Sequence, residues 1–87
     1  MGKLKVKNQA HEVASIKYKG IKDGGKTFVD LKGSVAPTKT LESPLEGAPG
    51  TDVAVTLGGK TQTIKANTNK ILIIEGGKSA ENWTLKY

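Results

Sequence analysis

The chain contains no arginine and no cysteine, and it has one histidine and only four aromatic residues. All 14 basic residues are lysines. A guanidinium binds a phosphate or a guanine edge through two parallel hydrogen bonds, whereas lysine supplies a mobile, hydrated point charge. The absence of cysteine excludes disulfides and thiolate metal sites, and His11 alone cannot form a histidine cluster. We therefore expect no metal and no other cofactor.

Long apolar runs are also missing. The first seven residues alternate lysine with aliphatic residues and lack the apolar stretch of a secretory signal. We expect a soluble chain made without such a signal, either cytoplasmic or assembled into a particle formed in the cytoplasm. A length of 87 residues predicts one domain, residues 1–87, with a single core.

The charge is distributed unevenly along the chain. Residues 1–36 carry eight lysines and three carboxylates, for a net charge of +5. Residues 37–57 carry one lysine and three carboxylates (−2), and residues 58–87 carry five lysines and two carboxylates (+3). Such asymmetry is typical of a protein with an anionic partner, or of head-to-tail attraction between copies of one protein.

Three glycine doublets, at residues 24–25, 58–59 and 76–77, are each followed by lysine. Paired glycines accept positive φ at both central positions of a type I′ turn, so each doublet predicts a β-hairpin. Alternating apolar residues flank the second doublet. A two-residue loop there pairs Leu57 with Lys60, in a register that also sets Val53 opposite Ile64.

Alternation predicts further strands around Leu4, from Ile16 and from Thr27, and a last one in which Trp83, Leu85 and Tyr87 share one face. The continuous apolar run at 71–74 indicates a central strand covered on both faces. The predicted fold is all-β, a small antiparallel sandwich or barrel of about six to seven strands. The alternatives of barrel and sandwich stay open, as does a short helical turn within residues 8–15.

Residues 33–52 interrupt this pattern with three prolines, which forbid an interior strand and discourage any helix. Long loops usually carry function or are disordered. We expect a long proline-rich loop or arm, and its ordering is left open. One hypothesis makes it an arm that binds a partner protein; the alternatives are an irregular edge strand or a lid on the chain's own domain. The predicted interaction residues are Pro37, Leu41, Pro44, Leu45 and Pro49.

Residues 20–27 satisfy the phosphate-loop pattern G-x-x-x-x-G-K-[ST]. That loop needs a helix after it, so that backbone amides and the helix dipole converge on phosphate. The residues after Thr27 alternate like a strand. We therefore interpret the match as a hairpin with a lysine near its tip.

The sequence offers no recognisable catalytic group. His11 and Glu12 are neighbours that an extended strand would direct to opposite faces. Glu42 and Glu46 are formally paired carboxylates, but in the proline-rich segment they are better explained as a solvated acidic loop. No nucleophile elbow is present. We predict that the protein is not an enzyme.

Lysines in the first quarter of the chain predict a basic patch. With so few aromatic residues for base stacking and no arginine, such a patch would bind nucleic acid only through its backbone and without sequence preference. Its predicted members are Lys3, Lys5, Lys7, Lys17, Lys19 and Lys22.

The leading hypothesis is a non-enzymatic structural or assembly protein that binds other protein subunits, with copies of itself as the expected partners in a larger assembly. A virion or another multi-subunit particle suits a small, cysteine-free chain rich in threonine and glycine. The alternative is a small β-barrel that binds nucleic acid nonspecifically through the lysine patch. No membrane partner is expected.

Overall fold

A computed structural model describes residues 2–76 and 82–87. It confirms the all-β prediction, since 64% of the described residues lie in strands. The remaining regular element is a 3₁₀ turn at Asp23–Gly25. The strands, in chain order, are β1 (Lys3–Asn8), β2 (Ala14–Lys22), β3 (Thr27–Val35), β4 (Thr40–Gly47), β5 (Asp52–Leu57), β6 (Lys60–Lys65), β7 (Ile71–Glu75) and β8 (Thr84–Lys86).

Seven strands form a nearly closed barrel in the order β6-β5-β2-β4-β1-β7-β8, and β3 pairs with β2 outside this path. Barrel, rather than sandwich, is thus the observed architecture. The pairs are antiparallel except for β1 with β7, which run parallel. Strand β2 is central because β3 lies along one edge of it, while β5 and β4 share the other.

The strands alternate as a barrel wall requires, with apolar side chains inside and lysine, threonine or serine outside. Burying each large apolar side chain stabilises the fold by about 1.5–3 kcal/mol. The largest fully buried apolar side chains are Trp83, Leu4, Ile16, Leu72, Ile74, Val6, Val35, Val53 and Val55.

The hairpin predicted at the second glycine doublet is confirmed. Leu57 pairs with Lys60 and Val53 with Ile64. Gly58 has φ of 61° and Gly59 of 80°, the positive values that a type I′ turn requires.

The other two doublets differ from a simple two-residue turn. The last pair of the β2–β3 hairpin is Lys22 with Thr27, so four residues form the loop, and Asp23 joins Gly24 and Gly25 in having positive φ. The third doublet lies partly outside the described residues, since its second glycine, Gly77, is not among them. Strand β7 ends before it, at Glu75.

One smaller prediction needs correction, and one open alternative is decided. Strand β7 is interior to the sheet, but only Leu72 and Ile74 are buried, while Ile71 is exposed on the outer surface. The short helical turn left open for residues 8–15 is absent: the chain bends at residues 10–12 and enters β2 at Ala14.

The expectation that prolines forbid an interior strand within residues 33–52 is wrong. Strand β4 occupies the middle of this segment and lies between β2 and β1. It is preceded by the end of β3 and a turn at 36–39, and a second turn at 48–51 leads into β5. The segment is therefore part of the barrel wall and not a separate arm.

Strand β4 accommodates Pro44 at a bulge. Lys5 faces Glu42 and Lys3 faces Glu46, so three residues of β4 lie opposite a single residue of β1. The buried hydroxyl of Ser43 closes the bulge, donating to the Leu45 carbonyl at 2.7 Å and accepting from the Leu45 N–H at 3.3 Å. Proline is tolerated inside a sheet at such bulges because no ladder hydrogen bond is lost.

Candidate functional site

The six lysines predicted to form one basic patch lie on two strands. Lys3, Lys5 and Lys7 are exposed on β1, whereas Lys17, Lys19 and Lys22 are exposed on β2. Strand β4 lies between these two strands.

Carboxylates on β4 divide the predicted patch. Glu42 lies opposite Lys5 and has an oxygen 3.8 Å from Lys3 Nζ. Glu46 lies opposite Lys3 on one side and opposite Ile21 of β2 on the other. The structure therefore does not bring the six lysines into one uninterrupted surface, which corrects the prediction.

The interaction residues predicted for the arm lie in strand β4 and in its flanking turns, and two of them contact the chain's own β2–β3 hairpin. A side chain added at Gly33 would meet Leu41 Cδ2 at 3.2 Å, and one added at Gly20 would meet Leu45 Cβ at 3.4 Å. The two leucines thus pack beside the β2–β3 hairpin as part of strand β4. Pro37 and Pro49 lie in the turns on either side of β4, and Pro44 is exposed at its bulge.

The outer edge of β3 is the feature that sequence reasoning missed. All nine residues of β3 pair with β2, and no other described strand pairs with β3. The edge therefore presents a row of backbone groups without strand partners among the described residues. Exposed edges of this length are templates for pairing with another chain.

The direction of these backbone groups follows from one hydrogen bond. The Ala48 N–H donates to the Lys19 carbonyl at 3.2 Å, so that carbonyl points away from β3. Lys19 faces Asp30 in an uninterrupted register, so the N–H and C=O of Asp30 point away from β2. By two-residue alternation, the same holds for Phe28, Lys32 and Ser34. These four residues supply the outward donors and acceptors of the edge.

The side chains of the same four residues lie on the exposed face of β3. Phe28 is 62% exposed, more than the other large exposed apolar residues of the described chain, Val13 and Ile71. Aromatic side chains are enriched at protein interfaces, so an exposed phenyl ring next to an open strand edge favours an interaction site. The exposure of Phe28 could have been inferred from the sequence, because Phe28 alternates in step with the charged residues Asp30 and Lys32.

Charges on the hairpin are arranged in cross-strand pairs. Lys19 forms an ion pair with Asp30, its direct neighbour on β3. Lys17 faces Lys32, which places two like charges side by side. A shallow groove of about 540 Å³ follows these four residues and extends to Asp52. It is open and mixed in charge.

The phosphate-loop interpretation agrees with the structure, since residues 20–27 connect two antiparallel strands and no helix follows them. His11 and Glu12 are exposed in the bend before β2. No group of three or more carboxylate or histidine side chains capable of holding a metal occurs among the described residues. Within residues 2–76 and 82–87, no helix is long and apolar enough to cross a membrane.

Comparison of the chain with protein-family models, with curated proteins and with solved structures found no match. Function therefore has to be inferred from the geometry of this chain.

Proposed function

We propose that this protein is a non-enzymatic assembly protein that binds another polypeptide by strand addition along the outer edge of β3. The observation that carries the proposal is the nine-residue edge, whose outward backbone groups have no partner among the described residues. In strand addition, backbone hydrogen bonds supply affinity and alternate side chains supply specificity.

The side chains on this edge favour a polypeptide partner of complementary pattern. Asp30 and Lys32 protect the edge from indiscriminate pairing, because a strand with like charges at the matching positions is repelled and an uncharged strand leaves both charges unpaired. Phe28 offers an apolar contact at one end of the same row. The edge thus combines an apolar contact for the partner strand with charges that discriminate between partner strands.

Nucleic acid fits the surface less well. The lysines of β1 and β2 are separated by the carboxylates of β4, and Tyr18 and Trp83 are buried in the core. Phe28 is the one well-exposed aromatic ring among the described residues, too few for a base-stacking platform. A virion or another multi-subunit particle is the setting that we propose for such a subunit.

The proposal is tested by blocking the edge while leaving the hairpin intact. The Lys32 N–H points away from β2, so Lys32→Pro removes an outward donor and adds a ring at the edge without breaking a bond to β2. Lys32→Gln is the matched control because it removes the charge and keeps the N–H. The measurement is the mass of the native complex formed in the source organism, by size exclusion and native mass spectrometry.

We expect the wild-type chain and Lys32→Gln to elute in a complex larger than the 9.2 kDa chain and Lys32→Pro to elute free. Circular dichroism checks that both variants fold. Retention of Lys32→Pro in the complex would contradict the proposal. So would a free wild-type chain that binds DNA or RNA in a filter assay with a steep salt dependence, the behaviour of the alternative class.

A further inference from the structure

The edge of β3 is complementary to itself. We propose that two copies of the chain pair antiparallel through β3 about a two-fold axis at Leu31, joining the two sheets into one. This inference rests on the proposed function and names the partner strand as a second β3.

The register follows from the length and charge of the strand. Leu31 is the middle residue of Thr27–Val35, so a two-fold axis there overlaps the whole of both strands. The same axis sets Asp30 of each copy opposite Lys32 of the other. Opposite charges facing each other stabilise a strand pair, and here symmetry makes the pair occur twice.

The backbone agrees with this register. The outward-pointing residues are Phe28, Asp30, Lys32 and Ser34, and the axis pairs Asp30 with Lys32 and Phe28 with Ser34 across the two copies. Each outward residue therefore meets an outward residue. In an antiparallel ladder such pairs exchange both N–H···O bonds, about eight bonds over the interface.

Repulsion between like charges disfavours the neighbouring registers. An axis at Asp30 places two carboxylates face to face, and an axis at Lys32 does the same with two ammonium groups, each a destabilising arrangement. Axes displaced further leave one end of each β3 strand unpaired. The charges of β3 thus favour the register with the axis at Leu31 when β3 pairs with a second copy of itself.

The dimer also relieves a like-charge contact within the monomer. Lys32 lies beside Lys17, and no described carboxylate forms an ion pair with Lys32. The Asp30 side chain is 83% exposed despite its contact with Lys19. Pairing places the second copy's carboxylate on the open side of Lys32. Phe28 then lies within diagonal reach of the second copy's Lys32, whose stem and charge both suit an aromatic ring.

A cysteine cross-link tests the register, because the native chain contains no cysteine. The axis places residue 31 directly opposite its counterpart, in a pair without backbone hydrogen bonds and with about 4.5 Å between Cα atoms. That spacing is within the range of a disulfide. We expect Leu31→Cys to form a covalent dimer under mild oxidation. The control is Val29→Cys, whose counterpart lies four residues away along the strand, about 13 Å.

Cross-linking of Leu31→Cys alone supports the proposal. The experiment is done at concentrations where sedimentation shows the wild type to self-associate. The register would be overturned if both variants cross-link equally or if neither does. A wild type that stays monomeric at millimolar concentration would overturn the dimer itself.

Charge exchange gives a second, independent test. Asp30→Lys alone and Lys32→Asp alone each place like charges opposite one another in both symmetric pairs, so each is expected to dimerise at least about tenfold more weakly. Mixed together, the two variants meet with opposite charges at both positions. We expect the mixture to form a heterodimer as tight as the wild-type dimer, by sedimentation equilibrium. No recovery on mixing would refute the charge pairing.

The two proposals fail in distinguishable ways. If Lys32→Pro leaves the native complex while the purified wild type stays monomeric, the edge binds a different polypeptide and the self-pairing inference is wrong. If Lys32→Pro remains in the native complex, strand addition at β3 is wrong.

Discussion

Asn8 shows how a single polar residue secures the end of the barrel. Its side chain is fully buried, and its amide donates to the Glu12 and Val35 carbonyls, both at 2.8 Å. Its side-chain oxygen accepts from the Ala10 N–H at 2.8 Å. One side chain thus joins the end of β1, the bend that follows it and the end of β3.

We predict that Asn8→Ala lowers the free energy of unfolding by about 3 kcal/mol, because it removes three hydrogen bonds and leaves buried backbone groups without partners. Urea denaturation measures this loss. Asn69→Ala, at an exposed position in the loop before β7, is the control and is expected to change stability by less than about 0.5 kcal/mol. Equal losses for both variants would show that Asn8 does not have this role.

Tyr87 is a residue whose titration is linked to the fold. Its hydroxyl donates to the Lys65 carbonyl and accepts from the Asn67 N–H at 2.8 Å. Partial burial raises the pKa of Tyr87 above its ordinary value of 10.0, and the hydrogen bond from Asn67 opposes this effect. Because the folded-state pKa is the higher one, the neutral phenol stabilises the fold below pH 10 and this contribution is lost as pH rises through the folded pKa.

We therefore expect the difference in Tm between the wild type and Tyr87→Phe to be constant from pH 7 to about 9 and to shrink at higher pH. Thermal melts across this range, with absorbance at 295 nm to follow phenolate formation, provide the measurement. A difference that widens with pH would refute the assigned direction.

At the scale of the element, turn chemistry and strand pairing are largely local. The Gly58–Gly59 turn has the backbone that its two residues favour, and the strands on both sides follow in register. Pro44, by contrast, led to a wrong prediction. It was expected to exclude an interior strand, but a bulge closed by Ser43 lets β4 remain inside the sheet. Alternation identifies strands, but proline does not exclude a strand when the strand that contains it is bulged at that point.

The second turn gives a test of this local control. Asn tolerates positive φ and has fewer unfolded conformations than glycine, so Gly58→Asn is expected to be neutral or to stabilise the protein by up to about 1 kcal/mol. Gly59→Val forces a β-branched residue into φ of 80° and is expected to destabilise by more than about 1 kcal/mol. Urea denaturation of the two variants is the measurement. Equal effects of the two substitutions would contradict a type I′ turn.

At the scale of the whole molecule, the barrel closes without a continuous backbone ladder between β6 and β8. Side chains connect this region: Gln62 Nε2 on β6 donates to the carbonyl of Trp83, the residue before β8, at 2.7 Å, and Trp83 Nε1 donates to the carbonyl of Leu57, the last residue of β5, at 3.0 Å. By contrast, β1 and β2 each have strands paired on both edges. The joint between β6 and β8 is therefore the place where the barrel opens most readily.

We expect amide hydrogen exchange to be slowest in β1 and β2 and markedly faster in β6 and β8, because opening the joint leaves the central strands intact. Exchange followed by NMR on the Asp30→Lys variant, at a concentration where sedimentation shows it to be monomeric, isolates this effect from any pairing through β3. Protection of β6 equal to that of β2 would mean that the side-chain joint opens only with global unfolding.

The sequence by itself determined the all-β class and the second hairpin with its register. These depend on alternation and turn geometry between residues close in the chain. The tertiary structure decided what depends on strand order: that β4 is interior, that Glu42 and Glu46 divide the lysines, and that β3 is left with an open edge. Strand order depends on contacts between distant segments, and no local pattern encodes which strand will lack a neighbour.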